Sequence, residues 1–198
     1  MSDKYNGMAE HESNGRAGTA LVLIDLVSRF DFEDGEKLFE YALPAARRLV
    51  NLKSRAKAAG LPVVYVNDNF GKWQEDFKAM VREILDGRSR GREIVELLRP
   101  DDDDFYVLKP QRSAFFSTTL ELLLQNLGVR RLIFGGVTTD ICILNSAIDA
   151  YMRDYEVAVP RDCVAAVEPE FSGEALRLLE RTVRADTRPS DEVELEAR

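Results

Sequence analysis

One thiol in this chain stands where a fold can make it a nucleophile. Cys142 closes the segment Gly135-Gly136-Val137-Thr138-Thr139-Asp140-Ile141-Cys142, where an apolar run gives way to a helical pattern. That places it just inside a helix start. The free N–H groups and partial positive charge of a helix N-terminus favour a thiolate and lower its pKa from about 8.5. Gly135-Gly136 permits an unusual backbone immediately before it, and amides exposed there are placed to receive an oxyanion. Two further polar residues end apolar runs: Asp25 follows Ala20–Ile24, and Lys109 follows Phe105–Leu108. A carboxylate, an ammonium and a thiol in one crevice amount to a proton carrier, an electrostatic partner and a nucleophile. Singly, each has an ordinary reading: a structural helix cysteine, a turn aspartate, a surface lysine beside Pro110. Convergence at one edge of a sheet would reverse those readings. Cys163, after Pro160-Arg161-Asp162, lacks a comparable helix start and reads as a small buried or semi-buried residue.

The elements that must position these groups follow from hydrophobic patterning. Ala20–Ile24, Val63–Val66, Phe105–Leu108, Leu132–Phe134 and Val157–Val159 are continuous apolar runs, the signature of strands buried on both faces of a parallel sheet. A short sixth strand is expected near Arg184–Thr187. Helical stripes lie between them: Ala45, Leu49, Leu52, Ala56 and Ala59, stopped by Gly60 and Pro62; Leu120, Leu123, Leu124 and Leu127, stopped by Gly128; Ile141, Leu144, Ile148 and Tyr151; and Leu176, Leu179 and Val183. Alternating strands and helices predict an α/β fold, a three-layer α-β-α sandwich around a mostly parallel, doubly wound sheet of about six strands. In such sheets ligands bind beyond the carboxyl ends of the strands, which is where Asp25, Lys109 and the Gly135–Asp140 segment fall. The acidic run Asp101–Asp104 reads as a solvated loop, since adjacent carboxylates diverge in direction.

The 198 residues suit one domain with a substantial core, and 45% hydrophobic with 31% charged residues is an ordinary globular balance. Residues 1–18 read as a flexible N-terminal tail, 19–190 as the domain and 191–198 as a C-terminal tail. The formal net charge of -8 argues against nucleic acid and against an anionic membrane as partner. The polar N-terminus is neither a signal peptide nor a span. With two cysteines and no secretion signal, reduced thiols and a cytoplasmic location are expected.

Three segments, in order and spacing, resemble the signature regions of the isochorismatase-like hydrolases: Val22-Leu23-Ile24-Asp25-Leu26; Leu108-Lys109-Pro110 followed by Ser113-Ala114-Phe115; and Gly136-Val137-Thr138-Thr139-Asp140-Ile141-Cys142. Ala147-Ile148-Asp149-Ala150 and Pro160-Arg161-Asp162-Cys163 also fit. The resemblance runs from about Thr19 to Thr187. It implies a six-stranded parallel sheet, an Asp25–Lys109–Cys142 triad, a cis peptide between Val137 and Thr138, and an oxyanion hole from the N–H groups of Thr138 and Cys142. It also implies a homo-oligomer, dimer or tetramer. Nicotinamidases of this superfamily carry a metal-binding aspartate and histidines after the second strand. Here that stretch reads Asn67-Asp68-Asn69-Phe70-Gly71-Lys72-Trp73, and the single histidine is His11. No zinc site and no cofactor are therefore expected. Isochorismatases that cleave a vinyl ether typically lack the cysteine, so Cys142 turns the expectation towards hydrolysis of a small carboxamide-like substrate through a thioester. A vinyl-ether hydrolase using Asp25 as acid and a catalytically silent oligomeric binding protein are the alternatives. Phe30, Phe70, Trp73 and Phe115, in or near strand-end loops, are candidates for the walls of a small-molecule pocket, with ordinary packing as the other reading.

Overall fold

The computed structural model describes residues 18–195. Six strands form one parallel sheet: β1 (Gly18–Ile24), β2 (Val63–Asp68), β3 (Phe105–Lys109), β4 (Val129–Val137), β5 (Glu156–Ala158) and β6 (Val164–Ala165). The order is β3-β2-β1-β4-β5, with β6 also on β4, beyond the end of β5. The chain builds outward from β1 to β3, then crosses back to β4 and builds the other way. The reversal falls between β1 and β4, and a crevice opens at such a switch point. Six helices cover the two faces: α1 (Gly35–Ala58), α2 (Phe77–Asp86), α3 (Arg92–Leu97), α4 (Leu120–Asn126), α5 (Leu144–Tyr151) and α6 (Pro169–Val183). No helix among the described residues is long and apolar enough to cross a membrane.

Strand side chains alternate between two cores with the period of two that a pleated strand imposes. Leu21, Leu23, Val63, Tyr65 and Ile133 pack against α1, α2 and α3. Ala20, Val22, Ile24, Val64, Val66, Leu132 and Phe134 pack against α4, α5 and α6. Both sets are essentially unexposed, which is why these strands read as continuous apolar runs. Helix α1 buries Ala45, Leu49, Leu52 and Ala56, while Ala59 is its exposed C-cap rather than part of the stripe.

Five details differ from the sequence reading. The sixth strand is Val164–Ala165; Arg184–Thr187 contributes only an isolated bridge from Asp186 to Ala158. Two residues of strand are too short to leave a periodic signal. The chain between β2 and β3 carries α2 and α3, where the hydrophobic pattern predicts no element. Helix α5 is rotated: Ser146, Ala147 and Ala150 face inward, and Tyr151 is exposed. Small residues let the helix approach the sheet closely, and the larger apolar side chains flank that contact. Asp104 is not solvated. Its side chain is 1% exposed and takes Lys53 at 2.7 Å and Lys57 at 2.8 Å. The Asp101, Asp103 and Asp104 carboxylates thus converge, but on two lysines. Finally, Gly18 belongs to β1, and Val193 is buried, with Arg55 donating to its carbonyl. The expected tail over residues 1–17 lies outside the described residues.

Candidate active site

The carboxyl ends of β1, β2 and β3 each deliver one polar group. Asp25 follows β1 in a left-handed conformation, φ 54°, a backbone region that aspartate tolerates better than most residues. Its N–H donates to the Val66 carbonyl at 2.9 Å. Asp68 ends β2 and Lys109 ends β3, paired directly in register. The chain leaving β1 is clamped by Asn67, whose amide exchanges two hydrogen bonds with the Val27 backbone, at 3.1 and 2.9 Å.

Cys142 sits in a π-helical turn, Thr139–Ile143, that runs into α5. A regular helix start was expected; the wider turn is typical of functional sites. Ile141 and Ile143 both donate to the Thr138 carbonyl, at 3.3 and 3.0 Å. Side chains take up carbonyls in this turn: Ser146 Oγ donates to the Cys142 carbonyl at 2.6 Å and Asn145 Nδ2 to the Ile141 carbonyl at 2.7 Å. The Val137–Thr138 peptide bond is cis. Gly136, at φ 122°, passes so close to β1 that a Cβ there would lie 2.0 Å from the Ile24 carbonyl oxygen. Only glycine admits that approach.

The structure brings Asp25, Lys109 and Cys142 together. Lys109 Nζ lies 3.0 Å from Asp25 Oδ2 and 3.6 Å from Cys142 Sγ. It also lies 3.2 Å from Asp68 Oδ2, a partner the sequence reading did not assign. The Asp68 N–H donates to Asp25 Oδ1 at 2.7 Å. Asp68 carries the same strand-end signal as the other two, and the β2–β3 register sets it beside Lys109. The Lys109 side chain is fully buried and that of Asp25 is 13% exposed.

Burial governs the charges. It pushes the Asp25 carboxyl above its usual range, against Lys109 and a hydrogen bond with the Cys142 thiol, which favour the carboxylate. Burial alone would lower Lys109, but Asp25, Cys142 and Asp68 together raise it, so the ammonium is held. The Cys142 thiol is pushed up to about 12, first by burial and then by Asp25, with Lys109 opposing. Desolvation thus outweighs the pull towards thiolate that a helix start exerts. Cys163 is buried and likewise pushed up to about 12.

A recess of about 260 Å³ opens over Cys142, floored by Asp25 and Asp68 and walled by Phe30, Phe32, Leu38, Phe70, Val137 and Ile141. Thr138 lines it, and Thr138 Oγ1 is buried without a hydrogen-bond partner. Of the four candidate aromatics, Phe30 and Phe70 line the recess. Trp73 and Phe115 do not. Trp73 is 83% exposed and outside the recess, while Phe115 packs in the α4–α6 core against Tyr155 and beneath the Arg153 guanidinium. Phe32 and Leu38, on the loop and helix after β1, went unrecognised because nothing local distinguishes them from core residues. No histidine stands beside Asp68 among the described residues.

The isochorismatase domain model matches residues 19–187. The chain is 34% identical over 178 residues to an uncharacterized isochorismatase family protein, YaaI, of Bacillus subtilis, covering 90% of this chain and 97% of that one. It is 35% identical over 182 residues to the ureidoacrylate amidohydrolase RutB of an Enterobacter species, covering 79% of each. The crystal structure of N-carbamoylsarcosine amidase from Thermoplasma acidophilum superposes with a TM-score of 0.68 at 28% identity, covering 89% of this chain and 99% of that one.

Proposed function

Since the chain belongs to the isochorismatase family of hydrolases, we propose that it is a cysteine amidohydrolase cleaving the C–N bond of a small carboxamide-like substrate. The observation that carries this reading is the cluster around Lys109: one buried ammonium within 3.0 Å of a carboxylate and 3.6 Å of a thiol, beneath an open recess. Relatives named as amidohydrolase and amidase support the same bond type.

The charges at rest dictate the order of events. With the thiol pushed up to about 12, the sulfur is neutral before substrate arrives. Asp25 therefore takes the thiol proton as the sulfur attacks the carbonyl carbon, rather than beforehand. Lys109 meets the negative charge as it appears on sulfur. Its pairing with Asp25 and Asp68 keeps it charged and in place. The oxyanion is received by the N–H groups of Thr138, which caps the π-helical turn, and of Cys142 within it. As the tetrahedral intermediate collapses, Asp25 gives its proton to the leaving nitrogen and ammonia or an amine departs. A thioester remains on Cys142. Water, losing a proton to Asp25, attacks that thioester; the acid product leaves and the proton returns to sulfur.

Ammonia release over a panel of small amides, with Cys142→Ala as control, tests this. The expected result is turnover by the native protein and none by the variant. Undiminished hydrolysis by Cys142→Ala, or release of pyruvate from a vinyl ether as the sole activity, would refute it.

A further inference from the structure

The walls of the recess narrow the substrate beyond the bond that is cut. At about 260 Å³ it lies below the range of about 300–1,000 Å³ that accommodates drug-sized ligands. Phe30, Phe32, Leu38, Phe70, Val137 and Ile141 wall it together with Ser28 and Thr138, whose hydroxyls are polar but carry no positive charge. The ionisable groups that line it are the Asp25 and Asp68 carboxylates and the Cys142 thiol, and the Lys109 ammonium beside them bridges both carboxylates at 3.0 and 3.2 Å. A second recess of about 310 Å³ adjoins it across Ser28, Phe32 and Phe70. It carries Arg29 and Lys72, but each is ion-paired there, Arg29 with Glu83 and Lys72 with Glu75. Every cation that the described residues place along this groove is thus already matched by an acid.

Resting on the amidohydrolase reading, we propose that the site selects uncharged amides of compact, apolar body and discriminates against amides that bear a carboxylate. A carboxylate entering the recess would leave water for aromatic and aliphatic walls with no free cation, and would approach Asp25 and Asp68. Both steps are unfavourable. An uncharged amide has only its C=O and N–H groups to satisfy, and these sit at the reacting end beside Thr138 and Cys142. Its body exchanges water for the rings of Phe30, Phe32 and Phe70. Phe32 and Phe70, about half exposed at 48% and 52%, flank both recesses and meet the substrate's far end. Phe32 is therefore a specificity-determining position.

Two matched pairs test the proposal: butyramide against succinamate, and benzamide against 3-carbamoylbenzoate. In each pair kcat/KM should favour the uncharged member by at least about tenfold, the range of one modest specificity contact. Calorimetric binding to Cys142→Ala, which needs no turnover, should show the same preference in Kd. Phe32→Arg should shrink both ratios at least about tenfold by improving the carboxylate member. Equal or better performance of the carboxylate-bearing amides, or binding of neither class, overturns the proposal, as does a ratio unmoved in Phe32→Arg. Should no amide be hydrolysed while the uncharged members still bind preferentially, the amidohydrolase reading fails and this selection stands.

Discussion

Replacing Lys109 with methionine removes the only ammonium that the described residues place in the Asp25–Asp68–Cys142 cluster while nearly keeping the volume of its stem. At 3.6 Å from Cys142 Sγ, that charge stabilises a thiolate by about 4 kcal/mol in surroundings of effective dielectric about 20. The equivalent is about three pKa units, or roughly a thousandfold in thiolate population. Solvent entering the vacated space trims this, so a tenfold slowing of Cys142 alkylation at about pH 9 is the least expected. The reaction is followed by peptide mapping, with buried Cys163 as the internal reference. The same substitution strands two carboxylates, at a stability cost of about 3–5 kcal/mol when both are ionised. The sign of its pH dependence follows from Asp25, whose folded pKa is already raised above 3.8 and rises further without the ammonium. The stabilising contribution of such a group is complete below 3.8 and is lost as pH climbs through the folded value. Urea unfolding should therefore show a larger deficit at about pH 8 than at about pH 5. Alkylation of Cys142 in Lys109→Met as fast as in the native protein would refute the claim that this ammonium sets the charge on sulfur. A deficit that shrinks with rising pH would refute the assignment of Asp25.

Asp25→Asn removes both the proposed base and the carboxylate that helps to push up the thiol; turnover should fall by about 10² to 10⁴ while Cys142 alkylation accelerates, a split visible by running both assays on one preparation. Because Asp25 must be ionised to accept the proton and its carboxyl is raised by burial, kcat/KM should decline on the acid side with a midpoint above 3.8, and a flat acid limb would exclude it as the base. Gly136→Ala forces a Cβ to within 2.0 Å of the Ile24 carbonyl oxygen at φ 122°; the loss should be on the order of 3 kcal/mol or more, read as a large drop in Tm or failure to accumulate folded protein.

Much of the architecture was open to inspection in the linear chain, because the physics that marks a buried parallel strand is local. A segment covered on both faces must be apolar at every position, so β1, β2 and β4 announced themselves, and glycine and proline punctuated the helices between them. Local signals also failed for local reasons. Two-residue β6 has no period to detect, and the small residues that face the sheet in α5 carry less hydrophobic weight than the larger ones flanking them. Asp104 looked solvated until Lys53 and Lys57, from a helix some fifty residues earlier, came across to bury it.

For the candidate site, residue types and strand ends already placed Asp25, Lys109 and Cys142 at one edge, since in a parallel sheet every strand points its carboxyl end the same way. Distances, register and solvent exposure were settled only by packing. The β2–β3 register put Asp68 against Lys109 and made a third partner of it. The loop after β1 folded Phe32 into the recess, whereas the core claimed Phe115 and left Trp73 outside. Burial of Cys142, with Asp25 beside it, reversed the charge preference of the thiol. A helix start acts over one turn and can be read from a few neighbouring residues. Desolvation depends on every atom that excludes water, and those atoms come from all along the chain.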